Sequence, residues 1–108
     1  MTIDIGNLFE SLPEDMSKEV FTDIIQGENI KIGRIVSKGQ SSPKMGWYDQ
    51  DDNEWVIILK GEAIISFENS DDVHLVAGGH LNIPAHTKHK VTWTKANMDT
   101  IWLAVHYT

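Results

Sequence analysis

A series of short apolar runs, each ended by residues that tolerate turn dihedrals, constrains this chain more than any other feature. The runs are Ile30 to Ser37, Trp55 to Leu59, Ala63 to Phe67, Val73 to Val76, His80 to Ile83, His89 to Thr94 and Thr100 to Tyr107. Between them stand Lys60-Gly61-Glu62, Asn69-Ser70-Asp71-Asp72, Ala77-Gly78-Gly79, Pro84-Ala85 and Lys95-Ala96-Asn97. Glycine, asparagine, aspartate and proline each favour reversal for a distinct backbone reason. Many short strands at this spacing predict an all-β sandwich or barrel. Period-two alternation agrees: Ala63, Ile65 and Phe67 share one face while Ser66 and Glu68 take the other. Trp55-Val56-Ile57-Ile58-Leu59 is apolar on both faces, which predicts a central strand.

The 108 residues have room for one domain, 1–108. Residues 1–28 read as an N-terminal extension without a firm pattern, in which Asn7 to Leu12 could form a helical turn. Glu19 to Gln26, followed by Gly27-Glu28-Asn29, predicts the first arm of a hairpin with the Ile30 strand. The net charge of −7 repels phosphate backbones and anionic lipid, so neither nucleic acid nor membrane is an expected partner. The N-terminus lacks the basic-then-apolar pattern of a signal peptide, and the expected location is the cytoplasm. There is no cysteine, so any metal must be held by histidine, carboxylate and water.

Two segments carry candidate chemistry. If Gln50 to Asn53 form a hairpin loop, Asp49 and Glu54 become a facing pair, two like charges that a cation would relieve. The plainer alternative is an acidic exposed turn. In the second segment Pro84 stops a short strand, and His86 and His89 follow, with Val91 and Trp93 on the face expected to point inward with His89. Imidazole near carboxylates is a common metal-ligand combination, although an i, i+3 histidine pair is also a common structural feature. His106 shares a face with Trp102 and Ala104, yet its near-terminal place argues for an outward position; His74 and His80 read as surface residues. Of the large aromatics, most are expected in the core and one or two at a pocket mouth. No nucleophile-base pair or phosphate-binding glycine loop is visible.

Together the segments resemble the two motifs of the cupin superfamily. The first family motif is glycine, His-x-His, three or four residues, glutamate, six residues, glycine, and Glu54 and Gly61 match its end. The second is glycine, five residues, Pro-x-Gly, two residues, histidine, and Gly78, Pro84 and His89 match it. The resemblance covers about residues 46–93. The runs Trp47-Tyr48-Asp49-Gln50, Glu54-Trp55-Val56 and Pro84-Ala85-His86 are similar to those of small bacterial cupins of uncharacterised role.

The resemblance implies an antiparallel β-barrel or double-stranded jelly roll, with Glu54 and His89 in metal-ligand positions. Both histidines of the first motif are missing, replaced by Trp47 and Asp49 or by Tyr48 and Gln50 according to the gap chosen. Asp49 then stands as a substitute ligand, and His86, in place of a motif glycine, could supply the missing imidazole. The expected ligand set is Asp49, Glu54, His86 and His89, holding zinc, iron, manganese or nickel. Three functions follow: a metal-dependent enzyme acting on a small polar molecule, a metal-free module that binds a small molecule without catalysis, and a scaffold with a vestigial pocket. A homodimer is expected as well, with Ile30 to Ser37 as a strand able to pair between chains.

Overall fold

The computed structural model describes residues 3–108. Its strands are β1 (Val20–Gln26), β2 (Ile30–Ser37), β3 (Asn53–Lys60), β4 (Glu62–Phe67), β5 (Ser70–Val76), β6 (His80–Ile83), β7 (His89–Thr94) and β8 (Thr100–Tyr107). Each apolar run named above is a strand. The first hairpin forms as the Gly27 loop predicts, with the Gly27 amide donating to the Ile30 carbonyl at 2.7 Å. Asn7 to Leu12 forms turns and bends, with no helix.

Five strands make one antiparallel sheet in the order β1-β2-β8-β3-β6, and three make a second in the order β5-β4-β7. The expected closed barrel or jelly roll is corrected by this arrangement, because neither sheet closes on itself. Four times consecutive strands change sheet instead of carrying the ladder around, twice at glycines. Gly61 turns β3 into β4 at a φ of 97°, and Gly78, at a φ of 89°, begins the passage from β5 to β6. Left-handed dihedrals are open to glycine and strained for residues with a Cβ. At Gly61 a Cβ would also lie 2.7 Å from Thr100 Cα, so close approach of β8 adds a second reason for glycine.

The core lies between the sheets. Val56 and Ile58 of β3, Ile83 of β6 and Trp102 of β8 meet Ala63 and Ile65 of β4 and Leu75 of β5. Burying each large apolar side chain stabilises the fold by roughly 1.5–3 kcal/mol. β3 lies between β8 and β6, as its continuous apolar run predicts, although its outer-face residues Trp55, Ile57 and Leu59 are only half-buried. β2 is interior to its sheet, whose edges are β1 and β6, so Ile30 to Ser37 is not an edge strand. β7 is irregular opposite β4 between Ile64 and Ile65. An extra residue in one strand reverses the alternation beyond it. Thr94 is therefore buried and Trp93 is 39% exposed, against the expectation that Trp93 faces inward with Val91.

Candidate functional site

A cavity of about 220 Å³ opens between the sheets where β3 and β7 begin and β8 ends. Its walls include Ile35, Val56, Ile65, Ile83 and Val91, and its polar groups come from Glu19, Tyr48, Gln50, Glu54, His89 and His106. Apolar walls with a few convergent polar groups are the usual form of a small-molecule site.

Strand register sets the polar cluster. Glu54 sits directly opposite His106 across β3 and β8, so both side chains project from the same face and Glu54 Oε2 lies 3.3 Å from His106 Nε2. The other carboxylate oxygen, Oε1, lies 3.4 Å from His89 Nε2. His89 is held from the second sheet by a bridge to Tyr48, in which each amide donates to the other's carbonyl at 2.8 and 3.1 Å. The Tyr48 and His89 rings are 5.7 Å apart.

His89 Nδ1 lies 2.8 Å from the Thr87 carbonyl, which can only accept, so Nδ1 carries a proton. Nε2 then needs a second proton to face a carboxylate favourably, which makes His89 an imidazolium. Burial alone would lower its pKa, but the Glu54 carboxylate and the Thr87 carbonyl outweigh burial and raise it. Glu19 lies just ahead of β1, and its Oε2 accepts hydrogen bonds from the Ser37 and Ser42 hydroxyls, both at 3.2 Å. Burial pushes its carboxyl above the ordinary range; the two hydroxyls oppose this and the Glu54 charge reinforces it. Burial likewise raises the Tyr48 phenol, with the negative charges of Glu19 and Glu54 adding to the shift.

Asp49 and His86 lie outside this cluster. Tyr48 belongs to a segment that pairs with β7, while Glu54 belongs to β3 in the other sheet, so the residues between them cross between sheets and form no hairpin. The expected facing pair of Asp49 and Glu54 is thereby corrected. Asp49 instead accepts from His86 Nδ1 at 2.9 Å on the exposed rim, with Asp51 3.4 Å from His86 Nε2. This contact raises the His86 pKa. His86 adopts a φ of 62°, so it keeps the left-handed turn of the motif glycine whose place it takes. Histidine visits that region more readily than most residues with a side chain.

The divalent metal expected from Asp49, Glu54, His86 and His89 does not fit. Among the described residues no group of three or more His, Cys, Asp or Glu is arranged to hold an ion. Two members pair with each other on the rim, and the other two form an internal ion pair. The metal-dependent reaction expected from that set falls with it.

His106, expected to point outward, is 12% exposed and lines the cavity. The signal was present in the period-two spacing from buried Trp102 and Ala104. Glu19 had no such signal, because its place depends on Ser37 and Ser42 folding back over it. His106 Nε2 meets Glu54 as a charge contact without hydrogen-bond alignment, and the Trp102 Nε1, enclosed in the core, has no hydrogen-bond partner among the described residues.

Neither a family model nor a curated protein matches this chain. Solved structures do. A candidate mannose-6-phosphate isomerase from Ralstonia eutropha is 39% identical, with 97% of this chain and 98% of that chain covered at a TM-score of 0.91. An RmlC-like cupin protein from Desulfovibrio desulfuricans is 22% identical over 98% of this chain and 97% of its own, at a TM-score of 0.77. A cupin superfamily protein from Desulfitobacterium hafniense is 19% identical over 99% and 94%, also at 0.77. The last two likenesses concern the fold alone.

Proposed function

We propose that this chain, which belongs to the cupin superfamily, is a metal-free module that binds a small organic molecule between its two sheets. The observation that carries this reading is the cavity itself, where apolar walls surround Glu54 and the two imidazoles that pair with it. Glu54 and His89 compensate one another's charge, so the site is preorganised without an ion. At about 220 Å³ it lies below the ~300–1,000 Å³ of drug-sized sites, which favours a small ligand.

The name of the Ralstonia protein refers to a phosphorylated sugar. A sugar phosphate carries an anionic group that wants lysine, arginine or a cluster of backbone amides. No lysine or arginine is among the cavity-lining residues, and two carboxylates are. The buried Arg34 is directed elsewhere, donating to the carbonyls of Leu8, Glu10 and Ser11. Resemblance in fold therefore does not carry that substrate to this cavity.

Thermal unfolding tests the proposal against a collection of small polar molecules and, separately, zinc, iron, manganese and nickel salts. A ligand at a hundred times its Kd stabilises the native state by about 2.7 kcal/mol. For a domain near this size that raises the Tm by roughly 10 °C or more. Stabilisation by organic molecules and none by metals is expected; stabilisation by metals alone refutes the reading.

A further inference from the structure

Resting on that binding role, we infer that the cavity's ligand is a small amine, with its ammonium on Glu19.

This inference follows from what each carboxylate already touches. Glu54 is matched on both oxygens by imidazole nitrogens, at 3.4 and 3.3 Å. Glu19 has only the Ser37 and Ser42 hydroxyls, both on Oε2, and no cationic side chain pairs with it among the described residues. A half-buried carboxylate without a counter-ion is costly, and a ligand cation removes the cost. With no lysine or arginine on the cavity lining, the same carboxylate repels an anion.

The apolar walls of the cavity, Ile35, Val56, Ile65, Ile83 and Val91, suit a short hydrocarbon body attached to that ammonium.

Three probes of matched shape separate the possibilities: phenylethanolamine, phenylethylene glycol and mandelate share an aromatic carbinol and differ in carrying an ammonium, a hydroxyl or a carboxylate. Titration calorimetry on the full chain is expected to show phenylethanolamine binding at least ten-fold tighter than the glycol, and no binding of mandelate. Glu19→Gln should erase the preference for the amine over the glycol.

Equal binding of amine and glycol, or tighter binding of mandelate, overturns the ammonium assignment and leaves the binding role standing. If all three probes fail while other small molecules stabilise the protein, the ligand class is wrong; if no small molecule does, the binding role falls as well.

Discussion

Replacing Glu54 by glutamine probes the ion pair at the centre of the cavity without changing its shape. In the native protein His89 Nδ1 donates to the Thr87 carbonyl, so the Nε2 facing Glu54 must also be protonated for the contact to be attractive. The raised His89 pKa has a definite sign in stability. The contribution is fully present below the unfolded value of about 6.5 and is lost as pH rises through the folded value. In Glu54→Gln the charge partner is gone, and burial then disfavours the imidazolium. A hydrogen bond to a charged group is worth about 1.5–3 kcal/mol, which is the expected cost of the substitution near pH 6. Near pH 8 a neutral His89 can accept from the glutamine amide, and the cost should fall below about 1 kcal/mol. Urea unfolding of both proteins across this range measures the difference. An NMR titration of the His89 ring supplies the site-specific readout, with its pKa lower in the variant. A pH-independent difference, or a His89 that titrates alike in both proteins, would refute the assignment of an imidazolium paired with Glu54.

Further outcomes follow from the same geometry. Gly61→Ala should destabilise the fold by at least about 2 kcal/mol, because a left-handed dihedral and a clash with Thr100 act together; an unchanged urea midpoint contradicts the account of that corner. His86→Gly should leave the Tm unchanged or raise it, since glycine relieves the φ of 62° and the lost contact with Asp49 is exposed. A drop of several degrees would mean that the rim pair supports the fold. Prolonged chelator treatment should leave the Tm and His89 resonances unaltered, because no three-donor group is present among the described residues; a marked loss of stability would restore the case for a metal.

The all-β class, the strand runs and the first hairpin were legible in the chain because each depends on neighbours a few residues apart. Alternation, glycine and proline act locally, so Gly61 and Gly78 announced their turns and Pro84 ended its strand. Likeness to cupins was legible for the same reason, its motif residues being turn formers and strand ends. Which side chains meet across the interior was decided only by the tertiary structure. Glu54 faces His106, fifty-two positions later, through the register of β3 against β8, and reaches His89 because the second sheet packs over the first. Asp49, five residues from Glu54, is kept from it by a crossing between sheets that resembles a hairpin in sequence. Short-range patterning fixes the direction of a side chain relative to its own strand; its partner depends on register and packing between distant strands, which local propensity does not encode.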